Sequence, residues 1–391
     1  MKKINMAAVC FALSILCSDA QTVNNNPAQT GSTTAPPPTK PQITSTGASF
    51  NVWQWQTYEV LGNGQIATHN HSYTELASGL NYQDPSSGQW LPSQEMIVPY
   101  SQGAIAQQGP HQVIFANNLN SSGAIDEQTP DGKRLLSNII GLMYYDPSTG
   151  QSVQIAQIQD SEGQLVADNQ VLYTNAFDGV KADVLFTYRR DGMEQDVVLR
   201  ARLPSPESFG LNSGTVELEV VTEFLNAPPA NVWNIGMDTE RLEPDQAISW
   251  GATSLGHGKA FSLDGQDAQA TVIKQYVNVD GQYYLLEKVR FQDIQQALSA
   301  LPEQASNSRS RPGMASKGSF LPKAPVARSA PRPIRLARST GPRKGYVLDY
   351  VSLNAAYTNF TFQGDTTYYV SGNLFLVRGN FREIRMLENF T

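Results

Sequence analysis

Apolar and polar side chains alternate along most of this chain with a period of two. From Phe50 the stretch through Val52, Gln54, Gln56, Tyr58 and Val60 is dominated by aromatic and β-branched residues, the pattern of a strand. Turn dipeptides punctuate the chain from there on: Asn63-Gly64, Asp131-Gly132, Asp178-Gly179, Asp191-Gly192, Asp264-Gly265 and Asp280-Gly281. Asn and Asp tolerate a left-handed backbone and Gly adopts it freely, so such pairs suit tight hairpins. Val184–Arg190 with Met193–Ala201, and Thr271–Val279 with Gln282–Phe291, therefore read as antiparallel hairpins. A longer loop occurs twice, as Asp84-Pro85-Ser86-Ser87-Gly88-Gln89 and Asp146-Pro147-Ser148-Thr149-Gly150-Gln151. Pro presets one turn dihedral and Gly accepts the positive one. A 3.6-residue period appears over Gln292–Leu301, where Ile294, Ala297, Leu298 and Leu301 form one stripe before Pro302. The pattern predicts an all-β fold of antiparallel, sandwich-like domains with one short helix and disordered linkers.

Composition divides the chain further. Lys2 and Lys3, the apolar run Met6–Cys17 and Ser18-Asp19-Ala20 predict a signal peptide over residues 1–20, cleaved before Gln21. That run is too short to span a bilayer, so no transmembrane segment is expected after cleavage. Both cysteines, Cys10 and Cys17, lie inside it. The exported product would then hold no thiol and no disulfide, and its localisation would be secreted or cell-envelope. Residues 21–48, rich in Asn, Thr and Pro, predict a disordered spacer. Residues 49–301 predict one large β domain with a possible split near Pro204. Residues 302–345 predict a second disordered linker, and 346–391 a small β remnant. Gln304–Leu348 carries ten Lys or Arg and no acid, which leaves 18 basic against 35 acidic residues elsewhere. An acidic body argues against nucleic acid as a partner.

Candidate chemistry is sparse. His69-Asn70-His71 with Glu75 places alternate side chains on one strand face, where two imidazoles and a carboxylate could bind zinc, iron or manganese. The spacing His-x-His-x-x-x-Glu resembles the first metal motif of cupins, with His111 as a possible third ligand, although the glycines flanking that motif are out of register. The competing reading is two solvent-facing histidines beside a hairpin. Trp53 and Trp55 would share a strand face and form a flat platform for sugar rings, assisted by Tyr58 or Trp90; core burial is the alternative. Glu217, Glu219 and Glu223 are candidates for a carboxylate pair, but their alternation with Val216, Leu218 and Val220 predicts the exposed face of a strand. There is no nucleophile elbow, phosphate loop or dinucleotide fingerprint, so no cofactor is expected.

Several segments carry a resemblance. Tyr73–Tyr82 running into Gln89-Trp90, Thr129–Arg134 followed by Tyr144-Tyr145-Asp146-Pro147, Phe177–Asp183 and Glu194–Leu199 resemble the N-terminal β-rich region of large secreted bacterial proteins of the RHS/YD-repeat and wall-associated type. The similarity covers about residues 50–300. It implies an exported, noncatalytic structural or binding module whose partner is a cell-envelope polysaccharide or another surface protein, and it carries over no catalytic residues. In similar proteins a segment like Asn359–Gly372 leads into a β-repeat region; here strand alternation fades after it. Tyr346–Gly372 is accordingly expected to be an unpaired stub of a truncated copy, with exposed edges. The rival reading is an extracellular carbohydrate-active or metal-dependent enzyme using His69, His71 and Glu75.

Overall fold

A computed structural model describes residues 20–22, 34–238, 243–256, 258–263, 269–303, 316–317, 335–336, 346–354 and 368–370. The predicted signal segment up to residue 19, most of the basic linker, most of the stretch after 354 and the Asp264-Gly265 turn lie outside the described residues. The fold is all-β and mainly antiparallel, with a single α-helix and one short 3-10 helix, Pro206–Phe209, among the described residues. The chain divides into two units, one of residues 1–77 and 359–391, the other of residues 78–358.

The first unit is built on a long hairpin, β1 (Phe50–Val60) and β2 (Ile66–Leu76), paired from Phe50↔Leu76 to Val60↔Ile66. Its turn follows the Asn63-Gly64 signal: Gly64 has φ +79°, and Asn63 Oδ1 accepts from the Gln65 amide at 3.0 Å. Gln42–Gly47 adds a strand to β1, and Ala20–Thr22 and Tyr368–Val370 both pair with β2. The disordered spacer expected over residues 21–48 therefore does not hold at Gln21-Thr22 or at Gln42–Gly47, and its residues 23–33 lie outside the described residues. Backbone pairing to an edge asks little of side chains, and Thr and Ile suit it, so Gln-Ile-Thr-Ser-Thr-Gly forms a strand despite its polarity.

The second unit is sandwich-like. One sheet is centred on β3 (Arg134–Asp146), which pairs with β4 (Gln151–Ile158) on one side and with β7 (Glu217–Leu225) on the other. It continues through β11 (Gln282–Arg290) to β10 (Ala270–Val279). The second sheet contains β5 (Ala182–Arg189) and β6 (Gly192–Leu199), joined by the expected hairpin, but its tip is Arg190-Asp191, one residue before the expected Asp191-Gly192, and Gly192 is the first residue of β6. The β10–β11 turn is Asp280-Gly281 as predicted, with φ +51° and +86°, the two positive values a type I′ turn requires. Both Asp-Pro loops close alike, Gly88 and Gly150 donating to the carbonyls of Asp84 and Asp146 at 2.7 and 2.8 Å. A hairpin of β8 (Asn231–Asp238) and β9 (Glu243–Ser249) follows β7.

Side chains from both sheets meet in one apolar core. Tyr144, Leu218, Val220 and Val289 come from the first sheet, and Val184, Phe186, Val197 and Leu199 from the second. Helix α1 (Phe291–Ser299) closes this core with Ile294 and Leu298 of the predicted stripe, with Ala297 partly buried beside them, and with Phe291, which lies outside that stripe.

The largest departure concerns the segment after the basic linker. Tyr346–Asn354 forms β12, which pairs along its length with β6 on one side and with Thr253–Leu255 and Gly258–Ser262 on the other. The unpaired stub is thus corrected to an internal strand. Alternation had identified a strand, but its neighbours lie far away in sequence, and local pattern carries no information about them. The basic linker also meets the sheets, Ser316–Lys317 pairing with β4 and Arg335–Leu336 with Gly163–Ala167.

Candidate functional site

The β1–β2 register brings the two candidate constellations onto one surface. Asn51 stands opposite Glu75, Trp53 opposite Tyr73, Trp55 opposite His71, and Thr57 opposite His69. Residues paired across strands share a face, so the tryptophans and the histidines belong to a single row. The Trp53 and Tyr73 rings stack with centroids 6.0 Å apart and planes 13° apart. Trp55 stacks on His71 at 5.1 Å and 18°, and meets Tyr73 edge-on at 6.1 Å. These rings are all half-buried. The expected flat platform is instead a cross-strand stack, because rings opposed across a hairpin gain more by covering one another than by lying on the sheet.

Polar groups fix the row. Glu75 Oε2 accepts from Trp53 Nε1 at 3.0 Å and from Asn51 Nδ2 at 3.2 Å. His71 Nε2 and Thr57 Oγ1 lie 2.6 Å apart, and His69 Nε2 lies 3.2 Å from Glu59 Oε2. His69, His71 and Glu75 share a face but do not converge. Six residues of extended strand span about 20 Å, whereas donors to one ion must all lie near 2 Å from it. Among the described residues no group of three or more His, Cys, Asp or Glu side chains could hold a metal. The two histidines are half-buried and partnered rather than solvent-facing.

The remaining candidates belong to the second unit. Trp90 is half-buried on the short strand Trp90–Pro92, opposite Gln83. His111 is 0 % exposed and packs against the Tyr188 ring at 4.5 Å, while Tyr188 Oη donates to the His111 carbonyl at 2.8 Å. Burial holds its imidazole far below the ordinary range, at about 3, against a smaller opposing pull from the Gly192 backbone.

A charged cluster that alternation misplaced lies inside this unit. Glu217, Glu219 and Glu223 are 1 %, 5 % and 5 % exposed, which corrects their assignment to an exposed face. Strand β7 runs between β3 and β11 and is covered on both sides. Lys288, 3 % exposed, stands directly opposite Glu219. Its Nζ lies 3.2 Å from Glu243 Oε2, 3.3 Å from Glu219 Oε1 and 3.6 Å from Glu217 Oε2, with the Tyr145 ring 4.8 Å away. Gln275 Nε2 also donates to Glu243 Oε2, at 3.1 Å. Burial alone would lower the Lys288 pKa, but Glu219, Glu243 and Glu217 outweigh it and raise it. Burial raises the Glu219 carboxyl against the pull of Lys288, and it raises Glu223 against a hydrogen bond from Asn138. Glu217, Glu219 and Glu243 thus share one buried ammonium, and these three carboxylates depend on it. One sequence signal pointed to it: Leu-Leu-Ser-Asn-Ile-Ile-Gly-Leu-Met-Tyr-Tyr in β3 is almost continuously apolar, as a strand buried on both faces must be. Its neighbour then has no wet face on which to carry acids.

Comparison of the chain with protein-family models, with curated proteins and with solved structures gives no match.

Proposed function

We propose that the chain is an exported, noncatalytic structural and binding module of a bacterial surface or secreted protein, and that it recognises polysaccharide through the aromatic row of β1 and β2. The observation that carries this reading is the fixed, half-buried stack of Trp53, Tyr73, Trp55 and His71. Ring edges and faces offer apolar area to the C–H faces of a sugar at little entropic cost, since Glu75 and Thr57 already hold the rings in place. Asn51 and Glu75 at one end, and Glu59 and His69 at the other, supply polar groups matched to sugar hydroxyls. The signal-like N-terminus and the resemblance to RHS/YD-repeat proteins support placement at the cell envelope. A metal-dependent enzyme draws less support, because its three named ligands are strung along a strand.

The test is a glycan array probed with the full chain, followed by calorimetry on any hit with wild type and Trp55→Ala. Binding that falls at least tenfold in the variant, with β-sheet content unchanged, is the expected result. Absence of any glycan hit, or equal affinity for both proteins, removes the polysaccharide reading.

A further inference from the structure

Strand β6 is built as an internal strand. Met193, Gln195, Val197 and Leu199 are buried on one face and Val198 on the other, whereas edge strands ordinarily remain polar and short. Its inner side pairs with β5, and its outer side pairs with β12 from Gly192↔Leu353 to Leu199↔Tyr346. The far side of β12 pairs with Thr253–Leu255 and Gly258–Ser262. Removing β12 would therefore open the outer side of β6 and the edges of both short strands at once. The chain reaches β12 only after residues 304–345, a connection with ten Lys or Arg and no acid, whose paired points are Ser316–Lys317 and Arg335–Leu336.

We infer that β12 is a docked strand, held by its two-sided pairing rather than by its covalent connection, and that the slot between β6 and the strands Thr253–Leu255 and Gly258–Ser262 is a binding site for the segment Tyr346–Asn354. A connection this long gives the strand only a limited effective concentration at its slot, so the pairing on both sides must supply most of what holds it. Pairing on both sides satisfies the backbone of β12 and of its neighbours together, as strand addition does in peptide recognition. Cleavage between Lys317 and Arg335, at Lys323 or Arg328 for example, then yields a two-piece protein and not a released fragment. For an exported protein rich in basic residues at that point, this is a route to processing without loss of fold.

The experiment inserts a recognition sequence for a sequence-specific protease between Lys323 and Ala324 of the full chain and cuts it after folding. The two pieces are expected to co-elute in native buffer, to separate in denaturant, and to melt at a temperature that now rises with protein concentration. Separation of the pieces in native buffer overturns the inference. Arg335–Leu336 and Tyr368–Val370 also pair with strands of the other piece, so retention must be traced to β12. Val351→Pro removes one backbone donor from β12 and cannot continue a central strand. At least a tenfold faster dissociation of its cut form is expected, and dissociation equal to wild type overturns the inference. Should that variant fail to fold, the cut wild-type protein is refolded from denaturant with a large excess of labelled synthetic peptide Tyr346–Asn354: uptake of the peptide supports the slot, and no uptake overturns it.

Discussion

Glu219 on β7 and Lys288 on β11 are direct cross-strand partners whose charged groups meet at 3.3 Å in the interior. Lys288 is shared with Glu217 and Glu243, so three carboxylates, two on β7 and one on β9, depend on this ammonium. Removing one member of a buried ion pair leaves the others desolvated, at a cost of about 3–5 kcal/mol. Lys288→Met is accordingly expected to lower stability by about that amount in urea unfolding. Glu219→Gln, which retains a polar partner, should cost clearly less. Equal effects would mean that the ammonium is not the common counter-ion.

Glu223 gives a pH dependence of definite sign. Its folded pKa is raised by burial, so the contribution to stability is fully present below the unfolded value and is lost as pH rises through the folded one. Glu223→Gln removes that loss. The variant should match wild type near pH 4 and show a higher urea midpoint at pH 7. A variant weaker than wild type at pH 7 would assign the carboxylate a stabilising partner instead.

His111 acts in the opposite direction. Its folded pKa of about 3 lies below the ordinary value of 6.5, so the unfolded chain binds the extra proton between those values and stability falls as pH drops through that window. Between pH 7 and pH 4.5 the imidazole alone should cost about 2–3 kcal/mol. His111→Phe keeps the ring against Tyr188 and lacks the titration. Unfolding at the two pH values should show a smaller acid loss for the variant; parallel losses would mean that His111 is charged in the fold.

Gly281 tests the β10–β11 turn. Its φ of +86° and that of Asp280 at +51° place both residues in the left-handed region, where a side chain costs about 1–2 kcal/mol. Gly281→Ala should lose roughly that much stability, and Asp280→Asn should be nearly neutral because Asn accepts the same backbone. Thermal unfolding of the two variants checks the order.

Export has a chemical readout. If cleavage occurs after Ala20, the product collected outside the cell begins at Gln21 and, with Cys10 and Cys17 gone, gives no thiol signal in denaturant with or without reductant. N-terminal sequencing and a thiol assay on the same sample test it, and a mature chain that retains Cys17 would contradict it.

The sequence by itself determined the main strands, the Asn63-Gly64 and Asp280-Gly281 turns and the α-helix. Period-two alternation in β1, β2, β5, β6, β10 and β11, the Asp280-Gly281 turn and the stripe Ile294-Ala297-Leu298 are local properties of a chain whose side chains alternate or spiral with its backbone. Alternation also put Trp53 and Trp55 on one face, and His69 with His71 on one face. Only the tertiary structure decided that these are the same face, because register between strands depends on pairing and not on either strand alone. It also decided that Glu217 and Glu219 lie inside, since whether a face is wet depends on what distant elements cover it. The placement of Tyr346–Asn354 between β6 and two short strands from far earlier in the chain has the same cause: partners of an internal strand are chosen by the closing of the whole sheet.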